Sequence, residues 1–318
     1  MNKRHTGSAI LEQVKPYIFI ARVDHWFKNI FMLPGTAVAV VLADVPLTSI
    51  VFPVLAGVLS ASLVASANYV INEWLDAEFD KYHPKKKYRP SVTGNINGVF
   101  VLLEYIFFLA AGLGIAFTLS VEFLGMAVLF VVMGVIYNVK PFRTKDRVYM
   151  DVLSESLNNP IRFMLGWYAV VSGILPPSSI LLSYWMGGAF LMAIKRYAEY
   201  RFIDDPEQAG LYRRSFRFYT EEKLLVSAFF YSLSSVFFLG IFLIKYKIEF
   251  LLSFPLFALL FAWYLSIGMR ARSPAQEPGQ LYKEKRFVAY LITLSIVVGI
   301  LIMVDIPWLH VLLKKVSY

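Results

Sequence analysis

Apolar residues run in blocks close to twenty long along this chain, each closed by a polar or proline-containing break. Phe27 to Ala43 reads as the body of a first span, and Asp44-Val45-Pro46 turns the chain. Ser49 to Ile71 reads as the second span and Val99 to Leu119 as the third. After a short turn at Glu122, Phe123 to Tyr137 is the fourth. Met150 to Gly173 is the fifth, closed by Pro176-Pro177, and Ser179 to Ile194 the sixth. Lys223 to Ile244, Ile248 to Ile267 and Phe287 to Val304 complete the series. A helix needs about 20 apolar residues to cross a bilayer. The pattern therefore predicts an all-α polytopic membrane protein of about nine transmembrane helices, with a polar tail at 1–16 and a single helical domain at 17–318.

Polar residues interrupt this pattern at regular places. Arg22, Trp26 and Asn29 fall at i, i+4, i+7, which puts them on one face of a helix, with Lys28 adjacent. Snorkelling to the interface is the plainer reading of Arg22 and Lys28. In the fifth span Asp151, Glu155, Asn158 and Arg162 recur at i, i+4, i+7, i+11. A stripe of both charge signs is costly against lipid and sensible against a watery cavity, and internal salt bridging between helices is its plainer reading. The sixth span ends in Lys195-Arg196-Tyr197-Ala198-Glu199, with Lys195 and Glu199 one turn apart.

The densest polar stretch leaves the second span as Asn72-Glu73-Trp74-Leu75-Asp76-Ala77-Glu78-Phe79-Asp80. On a continuing helix Asn72, Asp76 and Asp80 project near one face, and Glu73 joins the same side. A basic, proline-punctuated loop follows at once, from Lys81 through Lys85, Lys86 and Arg89 to Pro90. A second basic loop opens at Tyr137-Asn138-Val139-Lys140-Pro141 and adds Arg143, Lys145 and Arg147. Carboxylate oxygens of this kind suit Mg²⁺, which completes its shell with water and substrate phosphates. Lysines and arginines beside them suit the phosphates directly. The stretch thus reads as a metal–diphosphate site with Asn72, Glu73, Asp76 and Asp80 as candidate ligands. A solvated acidic helix end beside a positive loop is the competing reading.

Composition agrees with the pattern. The 318 residues are 58% hydrophobic, against roughly 45–50% apolar in soluble domains. Mean hydropathy is +0.59. There is no cysteine, which excludes disulfides and thiolate metal sites, and the four histidines are scattered without metal-binding spacing. The net charge of +9 belongs to loops and phosphate-bearing substrates in this setting, not to nucleic acid. Lysine and arginine concentrate in the tail and in the loops after spans two, four, six and eight, while the loop after span seven has only Lys245 and Lys247. This asymmetry places the N-terminus and every motif-bearing loop in the cytoplasm, at one membrane face. The acidic and basic motifs lie four spans apart, a weak hint of internal repetition.

Asn72-Glu73-xx-Asp76-xxx-Asp80 resembles the first Asp-rich motif of the UbiA superfamily of intramembrane prenyltransferases. The span count and the motif positions match over essentially the whole chain. Within the superfamily the chain is most similar to the decaprenyl-phosphate phosphoribosyltransferases. That rests on Arg22-xxx-Trp26-x-Lys28-Asn29, His83-Pro84-x-Lys86-xx-Arg89-Pro90-xxx-Gly94, Arg162 and Lys195-Arg196-Tyr197-Ala198-Glu199. Two positions depart from the superfamily pattern. Glu73 stands where aspartate is usual, and Lys195, Arg196 and Glu199 stand where prenyl-diphosphate users carry a second Asp-rich motif.

The resemblance implies phosphoribosyl diphosphate as donor, a polyprenyl phosphate as acceptor and Mg²⁺ as cofactor, in cell-envelope lipid synthesis. It casts Asn72, Asp76, Asp80, Lys86, Arg89 and Arg162 as catalytic. Lys85, Tyr137, Lys140, Arg143, Lys195, Arg196 and Glu199 become substrate-binding, and Arg22, Trp26, Lys28 and Asn29 lie where the lipid head group enters. The competing class is transfer of a prenyl group from a prenyl diphosphate to an aromatic or lipid acceptor. A transporter or lipid-binding scaffold is the non-enzymatic alternative. Membrane lipids are expected partners, and a homo-oligomer stays open.

Overall fold

The structure, a computed structural model, describes residues 14–94, 96–246 and 248–312. The predicted polar tail lies almost wholly outside them, as does Lys247. Among the described residues the chain is helical, without strands. A helix over 14–20 leads into a 3-10 segment, Val23–Met32, and then α1, Leu33–Ala43. Next come α2, Leu47–Asp80; α3, Gly98–Phe117; and α4, Val121–Asn138. Two short helices follow, α5 at Met150–Ser156 and α6 at Asn158–Tyr168. The rest are α7, Ser178–Ile203; α8, Pro206–Tyr212; α9, Glu221–Tyr246; α10, Phe254–Gly268; α11, Lys285–Met303; and α12, Pro307–Leu312.

Among the described residues six helical stretches are long and apolar enough to cross a membrane: Val14–Ala43, α2, α3, α4, α9 and Ile248–Gly268. The fifth, sixth and ninth expected spans fall on α5 with α6, on α7 and on α11. The fifth is not one rod. It divides at Leu157, because Pro160 lacks the N–H that would bond the Ser156 carbonyl and its ring crowds that carbonyl. In the first turn of α6 the missing donor costs little. The first span also differs from expectation. Arg22, Trp26 and Asn29 are not on one α-helical face: Trp26 and Asn29 stack at the 3-10 period, and Arg22 caps the segment at φ 50°.

By packing, the chain divides into two compact units. The first holds Met1–Leu175 and Ile203–Tyr219. Its spine is α2, which lies along α3 and also contacts α4. Buried Ser60, Ala61, Ala65 and Ala67 let the backbones approach, and the Ser60 hydroxyl donates to the Gly112 carbonyl at 2.8 Å. The crossing of α1 and α6 is closer still. A Cβ on Gly35 would fall on the Phe163 carbonyl, and one on Gly166 on the Met32 carbonyl. Ile20, Ala21, Val70 and Val101 form a core cluster flanked by Tyr17, Ile96, Tyr105 and Phe108. Side-chain caps start two of the helices: Asn97 accepts from the Val99 N–H, and Ser120 from the Phe123 N–H. The returning segment packs α8 on the 214–217 turn and against the end of α2.

The second unit holds Pro176–Phe202 and the chain from Thr220. Ser183 and Ser235 exchange hydroxyl-to-carbonyl bonds at 3.0 and 2.9 Å, joining α7 to α9. Phe190 meets Phe261 and Tyr264, and Trp263 meets Phe287 and Tyr290, so aromatic rings link α7, α10 and α11.

Large apolar side chains stand exposed at mid-helix, as at Phe52 (78%) in α2 and Phe107 (65%) in α3. Side chains of this kind are what lipid covers.

Candidate active site

The polar stretch that ends α2 remains helical to Asp80, so Asp76 and Asp80 share a side, which Glu73 and Glu78 do not join. Asp76 and Asp80 line one cleft of the first unit together with Phe79, Arg143, Lys145, Asp146, Tyr212 and Arg213. The walls come from the end of α2, the loop after α4 and the returning segment around α8.

Asp76 sits in a closed network. Its Oδ1 accepts from Arg143 Nη2 at 3.0 Å and from Lys145 Nζ. Its Oδ2 accepts from Asn72 Nδ2 at 3.1 Å. Asn72 also donates to Asn138 Oδ1, which accepts from Lys145 Nζ at 2.7 Å. Asn138 is fixed in turn by its own bond to the Gly134 carbonyl at 2.8 Å. Burial pulls the Lys145 ammonium down to about 8, against the upward pull of Asp76. Arg143 reaches this place at φ 29°, in the positive-φ region that few non-glycine residues adopt. Its Nε binds Asp146 at 3.1 Å and its Nη1 donates to the Asn138 carbonyl at 2.9 Å.

Glu73 does not line the cleft. It is 1% exposed, and its Oε1 lies 2.9 Å from both Arg22 Nη1 and Arg89 Nη1. Arg89 Nη1 also donates to Asp80 Oδ2 at 2.7 Å. Burial works against the Arg89 charge, but Glu73 and Asp80 outweigh it and hold the guanidinium above its ordinary value. The loop between them is folded on His83, whose Nδ1 accepts from the Lys85 and Lys86 amides at 3.1 and 3.2 Å. That aims the Lys86 ammonium at the Tyr212 hydroxyl and ring. Lys85 and Lys140 are exposed.

The other expected residues tie helices together. Trp26 Nε1 donates to Ser66 at 2.8 Å, and Lys28 meets His25 at 3.0 Å. Asn29 donates to Ser62 at 2.8 Å and accepts from Arg162 Nε at 3.0 Å. The Arg162 guanidinium also lies over the Phe130 ring. Tyr137 donates to Glu155 at 2.8 Å. Of the stripe, Asp151 goes elsewhere: it is fully buried and accepts from Ser215 at 3.1 Å and Tyr219 at 2.7 Å. Lys195, Arg196 and Glu199 belong to the second unit, where Arg196 pairs with Glu199 at 3.3 Å with both side chains buried.

Asn138, Lys145, Tyr212 and Arg213 are functional candidates that sequence reasoning did not single out. Lys145 was visible only as one more charge in a basic loop, and Asn138 as a loop residue.

Among the described residues no group of three or more His, Cys, Asp or Glu side chains converges on one point. Mg²⁺ needs no such cage, since one or two carboxylates and substrate phosphates suffice. Asp76 and Asp80, two hard oxygen donors facing one cleft, fit that requirement. Glu73 does not fit it, because it lies outside this cleft; two guanidiniums hold its Oε1, and its buried Oε2 has no hydrogen-bond partner.

Residues 31–289 match the model of the UbiA prenyltransferase family. The chain is 29% identical over 224 residues to the decaprenyl-phosphate phosphoribosyltransferase of Mycolicibacterium smegmatis, 66% of this chain and 64% of that protein. It is 30% identical over 159 residues to protoheme IX farnesyltransferase 2 of Bacillus subtilis, 48% of this chain and 51% of that protein. The matched stretch therefore spans less than two thirds of either relative. The fold is similar to that of a UbiA homolog from Archaeoglobus fulgidus bound to GPP and Mg²⁺, with a TM-score of 0.68, 22% identity, and coverage of 88% of this chain and 99% of that one. The family match over most of the length, the all-helical fold and the apolar spans agree, and the chain belongs to the UbiA prenyltransferase family of integral membrane transferases.

Proposed function

We propose that this protein transfers a 5-phosphoribosyl group from phosphoribosyl diphosphate to a polyprenyl phosphate at the cytoplasmic membrane face, releasing diphosphate. The observation that carries the reading is the pairing of Asp76 and Asp80 with Arg143, Lys145 and Arg213 around one cleft. An acid pair inside a basic collar suits a metal-bound diphosphate. The decaprenyl-phosphate phosphoribosyltransferase match supports the donor. So does the Lys195-Arg196 pair, found where prenyl-diphosphate users carry acids.

Asp76 and Asp80 would hold Mg²⁺, with Asn72 orienting Asp76; the ion supplies charge stabilisation for the departing diphosphate. Arg143 and Lys145 give fixed positive charge at the same place. Lys86, Arg89, Lys85 and Lys140 add cations along the 81–98 and 138–147 loops. An acceptor phosphate oxygen forms the new bond to the anomeric carbon as the bond to diphosphate breaks, with inversion. A phosphate monoester is already anionic above its second pKa of roughly 6, so the reaction needs no strong general base. Arg162 holds one phosphate, and Arg22, Trp26, Lys28 and Asn29 form the lipid entrance.

The second reading, prenyl transfer from a prenyl diphosphate, is favoured by the protoheme IX farnesyltransferase match. One assay separates the two. Purified protein is incubated with Mg²⁺, labelled phosphoribosyl diphosphate and mixed polyprenyl phosphates. We expect label in the lipid phase, lost on chelation and restored by Mg²⁺. No label, with geranyl or farnesyl diphosphate consumed instead, would reverse the order of the two readings.

A further inference from the structure

A second cleft, of about 620 Å³, shares Arg143 with the acidic one. It lies between the end of α2, the residues Ser91, Gly94 and Ile96, and the 138–143 loop. Its walls are apolar at Trp74, Leu75, Ile96 and Val139. Three polar side chains in it, among them Lys140 of the loop cations above, have no hydrogen-bond or ion-pair partner among the described residues. Ser91 is only 8% exposed, and its hydroxyl oxygen is buried with no hydrogen-bond partner. Lys140 and Glu78 are both exposed, of opposite sign, and paired neither with each other nor with any described residue. Arg143 is already held by bonds from its Nε, Nη1 and Nη2 to Asp146, Asn138 and Asp76, which leaves one N–H on each Nη.

We propose that this cleft binds the head group of a zwitterionic phospholipid carrying a phosphodiester and a primary ammonium. A buried hydroxyl without a partner is costly, and a phosphate oxygen would satisfy Ser91. Lys140 supplies the matching charge. Glu78 repels a simple phosphate or a lipid phosphate monoester, yet it suits an ammonium on the same head group. A primary ammonium donates charge-assisted hydrogen bonds to a carboxylate, which a quaternary one cannot. The apolar walls take the glycerol and first methylenes, and tryptophan is a residue enriched where membrane meets water. Free phosphate or diphosphate would leave those walls without a role. The inference stands apart from the choice of donor, since a prenyl-transfer reading leaves the cleft unchanged.

The test titrates the full-length protein in maltoside micelles with dihexanoyl phosphatidylethanolamine, dihexanoyl phosphatidylcholine, dihexanoyl phosphatidic acid and inorganic phosphate, with binding read by native mass spectrometry and calorimetry. We expect saturable one-to-one binding of the ethanolamine lipid, roughly tenfold tighter than the choline lipid, the size of one charge-assisted hydrogen bond. Glu78→Gln should erase that difference, Ser91→Ala should weaken both lipids, and Ile96→Trp should fill the cleft and abolish binding. The two polar substitutions sit at positions that tolerate them, so they decide the matter even if Ile96→Trp fails to fold. Absence of saturable binding, equal affinity for the two zwitterions, an intact preference in Glu78→Gln, or tighter binding of phosphatidic acid or inorganic phosphate would each overturn the proposal.

Discussion

Arg89 Nη1 lies 2.9 Å from Oε1 of Glu73, a carboxylate that is 1% exposed. Arg22 reaches the same oxygen from the chain's first segment. Arg89 therefore bridges Glu73 and Asp80, and its removal strands the buried Asp80 and leaves Glu73 to Arg22 alone. Breaking a buried pair from one side costs about 3 kcal/mol or more. Arg89→Ala should lower the thermal unfolding midpoint in detergent well below that of Lys85→Ala, whose side chain is exposed. Equal midpoints would show that Asp80 finds another cation and that Arg22 suffices for Glu73.

Asp76 and Asp80 differ from Glu73 in facing the cleft. Asp76→Asn and Asp80→Asn keep side-chain shape while removing charge. Each should cut turnover by roughly a hundredfold or more, the scale of losing a group that stabilises developing charge. Monodisperse protein on size exclusion should persist in both. Ordinary Mg²⁺-dependent turnover in both variants would remove these acids from the reaction.

Arg162 and Asn29 join α6 to the 3-10 segment through one buried hydrogen bond. If Arg162 serves only to hold the helices, Asn29→Ala and Arg162→Ala should cost similar stability and leave catalysis proportionate to folded protein. Our reading gives it a phosphate as well. Arg162→Ala should then lower activity per folded molecule by at least about tenfold, with Asn29→Ala milder. A double-mutant cycle on stability should show a coupling of about 1 kcal/mol. An unchanged specific activity in Arg162→Ala would confine it to packing.

Gly35 and Gly166 leave no space for a side chain, since each faces a carbonyl of the crossing helix. Gly35→Ala or Gly166→Ala should force α1 and α6 apart and cost about 1–3 kcal/mol, as overpacking does. Gly114→Ala, which meets nothing within 4 Å, is the control. A midpoint equal to that control would mean the crossing yields easily.

Helical periodicity made the acid face of α2 legible, because Asn72, Asp76 and Asp80 needed only a continuing helix to align. The same periodicity misplaced Arg22 relative to Trp26 and Asn29. Nothing local announces a ten-residue 3-10 segment, whose stability comes from packing on α6 and α2. The partners of the acids were not legible either. Arg22 meets Glu73 across 51 positions and Lys145 meets Asp76 across 69, and only the packed fold brings them together. Two local signals were present in the sequence but went unread. Pro160 marks the break in the fifth span, and Asp205-Pro206 caps α8, with the Asp205 carboxylate accepting from the Glu207 amide at 2.9 Å.

The first unit is interrupted in sequence: it stops at Leu175 and resumes at Ile203. During synthesis Asp76 and Asp80 are made early, while Tyr212 and Arg213, which line the same cleft, come from the resumed part. Asp80 and Tyr212 lie 132 positions apart, so at ordinary elongation rates the interval lasts on the order of ten seconds. A nascent chain thus carries its acids through the interval with one wall absent. A product truncated at Leu175 would hold every acid of α2 and still lack a finished cleft.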